Sequence, residues 1–229
     1  MPFFYDIYYF ILVIPALILS FYAQYKVSHT FSKYSAVQNK KAATGEQVAR
    51  KILNMNGLNN VSVNPVNGNL TDHYNPANNT VNLSESVHSS TSVAALGVAA
   101  HEVGHALQYA DKYAPISVRN KILPVARISS TAAPYLALFG FIFGFEILVN
   151  IGIILFSAVV LFQLVTLPVE FNASRRALTM LDQYGILAED EITITKKVLS
   201  AAAMTYLASA IMGIANLLRL VLLARNRRR

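Results

Sequence analysis

The run from Ala132 to Val169 limits the fold most, because only Glu146, Asn150 and Gln163 interrupt it among strongly polar residues. A helix needs about 20 apolar residues to cross a bilayer core. The run is too long for one crossing and suits two, with a turn near Phe145–Gly152. In lipid every backbone polar group must find its partner within the segment, so a helical hairpin is expected. A carboxylate at mid-membrane costs about 2.5–3.5 kcal/mol on insertion scales, which places Glu146 at the hairpin tip, at the far interface.

Two further stretches have the same character. Ile7 to Tyr22 is apolar throughout and, with Phe3 and Phe4, approaches crossing length. No Lys or Arg precedes it and no small-residue cleavage site follows, so it reads as an uncleaved anchor rather than a signal peptide. Ala201 to Leu218 is apolar enough to form a last membrane helix. The chain is 54% hydrophobic and 14% charged, with a mean hydropathy of +0.41. That composition belongs to a membrane protein with a modest polar portion.

Residues 24–127 are that polar portion. Thr44 is placed to cap a helix whose apolar face is Val48, Ile52 and Leu53, and Gly57 is placed to end it. Short alternating runs at "VSV", "LTDHY" and "TVNLSE" follow, separated by Asn, Pro and Gly turns, and predict a sheet of two to four strands. "SSTSVAALGVAAHEVGHALQYAD" predicts a long helix capped by Ser89, Ser90 or Ser92. Pro168 suits a helix start and Gly185 a stop. Glu189, Asp190 and Glu191 suit the first turn of the last helix.

Within the long helix stands His101-Glu102-Val103-Gly104-His105. Two histidines four apart share one helix face, one turn above the other. One ion can bridge them at about 2.0–2.1 Å per bond. Glu102, one residue on, is placed to take a proton from a metal-bound water. Gly104 leaves room for a close-packed strand or a substrate. Buried, hydrogen-bonded histidines are the bland alternative, but burying three titratable groups without a metal is expensive. The chain has no cysteine, so thiolate ligands are excluded.

The third ligand is found by elimination. No histidine follows His105, so a later ligand must be a carboxylate: Asp111, Glu146, Glu170, Asp182, Glu189, Asp190 or Glu191. Asp111 is on the wrong side of the helix and Glu146 belongs to the opposite membrane face. Asp182 and the acidic cluster have cap or surface readings. Glu170 follows the second limb of the hairpin, an even number of crossings from His105, and is the expected ligand.

At "AAHEVGHALQ" and "LPVEFNASRRAL" the chain resembles the YugP-like family of bacterial membrane zinc metallopeptidases, over nearly its whole length. The resemblance implies one zinc ion on His101, His105 and Glu170, with Glu102 as catalytic base. More distantly the pattern is similar to HtpX and the CAAX prenyl endopeptidases. Those carry an acidic residue four positions after the third ligand, where this chain has Ser174. In the YugP-like pattern an aspartate is expected where Asn172 stands.

The expectation is therefore a mainly α membrane protein with about four transmembrane or membrane-embedded helices and a small α+β zincin-like catalytic portion. The divisions expected are an anchor at 1–23, the catalytic portion at 24–127, the hairpin at 128–168, the third-ligand helix and connector at 169–198, and a last helix with a basic tail at 199–229. The expected activity is zinc-dependent peptide hydrolysis, with Glu102 drawing the proton from a zinc-activated water. His73, Tyr74, Tyr109 and Arg175 are candidates for a second electrophile, although an ordinary turn or surface role is the favoured reading for His73, Tyr74 and His88. Asn172, Ser174 and Arg175 are candidates for holding the ligands in place. "TVNLSE" is expected to be an edge strand on which an extended substrate pairs.

A net charge of +7 would suit nucleic acid, but the basic residues lie beside apolar spans. Lys26, Lys33, Lys40 and Lys41 follow the first span, Lys112, Arg119, Lys121 and Arg127 precede the second, and Arg175 and Arg176 follow the third. The positive-inside rule accounts for them, so no nucleic-acid partner is expected and the site should face the cytoplasm from a multi-pass plasma-membrane protein. Arg225 and Arg227–Arg229 run against that rule if the last helix crosses. Partners expected are the bilayer and a peptide or membrane-protein substrate. Two rivals remain: a catalytically silent zinc-binding scaffold or chaperone-like partner, and a channel or transporter, for which the spans carry too few polar residues.

Overall fold

The computed structural model describes residues 6–227; Phe3, Phe4 and the side chains of Arg227–Arg229 lie outside it. The protein is mainly α. A π-helical turn (Tyr9–Val13) leads into α1 (Ile14–Ser35), then come α2 (Gly45–Met55), β1 (Ser62–Val66), β2 (His73–Asn75), β3 (Thr80–Ser84), α3 (Glu85–His88), α4 (Val93–Ala110), α5 (Ala114–Phe143), α6 (Glu146–Gln183) and α7 (Glu189–Arg227). Four helical stretches, Tyr9–Ser35, Ala114–Phe143, Glu146–Gln183 and Glu189–Asn226, are long and apolar enough to cross a membrane. The expected class, a mainly α membrane protein with a small α+β portion, is the observed one.

The chain divides into two compact units. The first holds the residues up to Gln24, Ser117–Pro168 and those from Met204 on. Its hairpin turns at Gly144, whose φ of 80° needs no Cβ, so the turn is tighter and earlier than expected and Gly152 lies inside α6. Glu146 opens α6 as its first-turn acid. The two limbs approach through small residues: a Cβ on Gly152 would lie 3.0 Å from Ala137 N and 3.1 Å from Ala133 O. Membrane helices, lacking a hydrophobic drive toward each other, gain their packing from such close approach. Pro168 does not start a helix; α6 runs through it unbroken to Gln183. Elsewhere in this unit Asp6 Oδ2 accepts hydrogen bonds from Arg219 Nε at 2.9 Å and Nη2 at 2.7 Å, tying the start of the described chain to α7.

The second unit holds Tyr25–Ile116 and Val169–Ala203. Thr44 and Gln47 form a reciprocal capping box at the start of α2. Gly57, at φ 74°, follows that helix. The sheet has the order β1-β3-β2, with β1 parallel and β2 antiparallel to β3. This overturns the expectation for "TVNLSE": β3 is the central strand, because its residues are buried from both sides, and β2 lies at the edge. Leu53, Leu83, Leu96 and Leu181 meet in one core that joins α2, the sheet, α4 and α6.

Candidate metal centre

Helix α4 is a buried helix made of small residues. Ser92 caps it, its Oγ accepting from Ala95 N at 3.2 Å. Gly104 faces neither a strand nor a substrate, as the sequence reading had allowed. A Cβ there would lie 2.7 Å from the backbone oxygen of Ala173, so the missing side chain is the space that α6 occupies. That approach brings Glu170 of α6 to the histidine face of α4.

The ligand set converges. Glu170 Oε2 lies 3.4 Å from His101 Nε2 and 3.6 Å from His105 Nε2. One ligand atom from each of the three falls within 4.8 Å of the others. A tetrahedron with bonds of about 2.0–2.2 Å has ligand atoms about 3.3–3.6 Å apart. Glu170 Oε2 is also buried with no hydrogen-bond partner. A buried carboxylate oxygen left unpaired is costly, and a cation between these three atoms satisfies it. By this measure the residues present fit a zinc ion.

The remaining ring nitrogens are held from behind. His101 Nδ1 lies 3.1 Å from Ser174 Oγ, and His105 Nδ1 lies 3.0 Å from Gln108 Oε1. Gln108 Nε2 donates to Val169 O at 2.7 Å and to Asn172 Oδ1 at 3.0 Å. Asn172 Oδ1 also accepts from Arg176 Nε at 2.9 Å, and Arg176 pairs with Asp111. Glu102 is 8% exposed, and its Oε2 accepts from the backbone N–H of Tyr74 at 3.0 Å. Burial disfavours a charged His105, but the Glu170 carboxylate beside it, with Glu102 adding charge, raises its pKa above the ordinary 6.5.

The other candidates are spread around this centre. The Tyr74 ring lies 5.4 Å from that of Tyr109, and its hydroxyl donates to Asn79 Oδ1 at 2.7 Å. Burial, then Tyr109, raises the Tyr74 pKa, so its phenol stays protonated. His73 is exposed, with Nδ1 2.9 Å from Thr71 O. Arg175 is exposed, whereas its neighbour Arg176 joins the hydrogen-bond chain behind His105. The sequence reading missed Gln108, although an amide one turn past His105 within an apolar helix was a usable signal. It also missed the Tyr74 N–H, for which a sequence carries no signal because every residue but proline has one.

A buried helix bearing two histidines, a carboxylate delivered by a neighbouring helix and four candidate spans together describe a membrane protein with a candidate metal site. The sequence model of the family described as "Putative neutral zinc metallopeptidase" matches residues 9–225, and the chain belongs to that family. Among its relatives, "Putative membrane protease YugP" of Bacillus subtilis (strain 168) is 50% identical over 217 residues, which span 95% of this chain and 96% of that protein. The resemblance drawn from the two motifs holds over residues 9–225. No solved structure matches the chain.

Proposed function

We propose that the protein is a membrane zinc endopeptidase in which His101, His105 and Glu170 hold one zinc ion and Glu102 is the general base. The observation that carries this is Glu170 Oε2, buried without a hydrogen-bond partner and placed 3.4 and 3.6 Å from the two imidazole nitrogens. Zinc, when bound, supplies a Lewis acid that makes water a nucleophile near neutral pH and polarises the scissile carbonyl. Glu102 accepts the proton of the attacking water and returns it to the leaving amine. The Tyr74 N–H fixes one oxygen of that carboxylate, so its orientation costs nothing at the moment of transfer.

The same N–H comes from edge strand β2, which suits pairing with an extended peptide beside Glu102. The basic residues flanking the spans support a cytoplasmic site in the plasma membrane. Peptide or membrane-protein chains are the substrates this reading implies.

Full-length protein purified in detergent should carry one zinc per chain and cleave casein. Glu102→Gln should keep the metal, since an amide oxygen still accepts from Tyr74 N–H, and lose cleavage by about 10²-fold or more. Wild-type protein without stoichiometric zinc, or cleavage that survives Glu102→Gln, overturns the proposal. Zinc present with no cleavage in either form leaves the silent-scaffold reading.

A further inference from the structure

We infer that Gln108 is a positioning residue that sets the tautomer and the aim of His105, through a chain of hydrogen bonds that runs Arg176, Asn172, Gln108, His105. The inference rests on reading His101, His105 and Glu170 as a metal site. The direction of every link follows from what each atom can do. Arg176 Nε can only donate, so the atom of Asn172 it meets at 2.9 Å is the oxygen. Val169 O can only accept, so the atom of Gln108 it meets at 2.7 Å is the amide nitrogen. The second proton of that amide goes to Asn172 Oδ1 at 3.0 Å. Gln108 Oε1 is then turned to His105 Nδ1 at 3.0 Å and must receive its proton. A neutral imidazole protonated at Nδ1 carries its lone pair on Nε2, the nitrogen that faces Glu170.

Burial gives the arrangement its weight. Gln108 is 0% exposed, and both its amide protons and its oxygen are used. Were the amide turned over, its N–H groups would face an imidazole N–H and its oxygen a carbonyl, with no water to repair the loss. Gln108 also grips the carbonyl of Val169, the residue before Glu170. One side chain thus positions a ligand on its own helix and the backbone beside the third ligand on α6.

The test measures zinc affinity of the full-length protein by chelator competition, with thermal unfolding of the metal-stripped chain as control. Gln108→Leu should weaken zinc binding by about 10- to 100-fold. Gln108→Glu, which keeps an acceptor for Nδ1–H but turns its second oxygen onto the acceptors Val169 O and Asn172 Oδ1, should also weaken binding. Asn172→Ala should weaken binding several-fold, and the Gln108→Leu/Asn172→Ala pair should be no weaker than Gln108→Leu alone, because both act through one chain. Zinc affinity unchanged in Gln108→Leu overturns the inference, as do losses that simply add in the pair. If Gln108→Leu does not fold, Asn172→Ala decides: unchanged affinity there overturns the relay. A wild type that binds no zinc refutes the metal site itself, an outcome distinct from these.

Discussion

Ser174 Oγ lies 3.1 Å from His101 Nδ1 as Gln108 Oε1 lies 3.0 Å from His105 Nδ1, so each histidine of the proposed site has a polar partner on the nitrogen turned away from Glu170. Ser174→Ala should therefore weaken zinc binding by about 10-fold or more while leaving unfolding of the metal-stripped chain nearly unchanged, which chelator competition and a melting curve would separate. His105 adds a pH signature. A proton and zinc compete for one lone pair, and the His105 pKa is raised above 6.5, so the apparent zinc Kd should be flat at high pH and begin to climb while the pH is still above 6.5. A bend at or below that value would contradict the role given to the Glu170 carboxylate. The grouping of His101, His105 and Glu170 was legible beforehand. The HExxH spacing is a local property of a helix, and Glu170 emerged by elimination. Arg175 drew attention that belongs to Arg176, because which of two adjacent arginines faces α4 depends on the phase of α6.

At the scale of elements, the close pair α4 and α6 brings the ligands together. Ala173 presents only backbone to Gly104, with its O, C and Cα at 2.7, 3.2 and 3.2 Å from the position of an added Cβ, and backbone cannot swing aside. Gly104→Ala should push the helices apart, costing about 1–3 kcal/mol in stability. It should also weaken zinc binding, because His105 and Glu170 sit on opposite sides of that contact. Zinc affinity intact in a destabilised Gly104→Ala protein would show the ligands to be set independently of the helix packing. Sequence patterning found α2, α4 and the three strands, yet it misjudged Pro168. Proline kinks or ends a helix when a carbonyl loses its donor, but α6 continues, and its long apolar flank holds it in place. The central place of β3 was equally hidden, since a short strand shows its partners only when the sheet is assembled.

For the molecule as a whole, zinc is expected to be a source of stability as well as reactivity. A ligand that binds only the folded chain adds about 2.7 kcal/mol at 100 times its Kd. Stripping the metal should lower Tm, and restoring zinc should return it; a Tm indifferent to zinc would argue against a site built from both α4 and α6. In the membrane unit, Arg219 is 8% exposed and satisfied by Asp6. Removing the Asp6 carboxylate weakens the compensation of that buried charge, so Asp6→Asn should lower Tm.

Hydropathy and spacing along the chain were sufficient to specify four membrane helices, a small α+β portion and a helix bearing two histidines, because apolar run length and the i, i+4 repeat act locally. The meeting of Glu170 with those histidines, the amide chain behind His105 and the edge position of β2 came from folding. They join residues as far apart along the chain as His101 and Glu170, and such contacts arise only when whole helices pack.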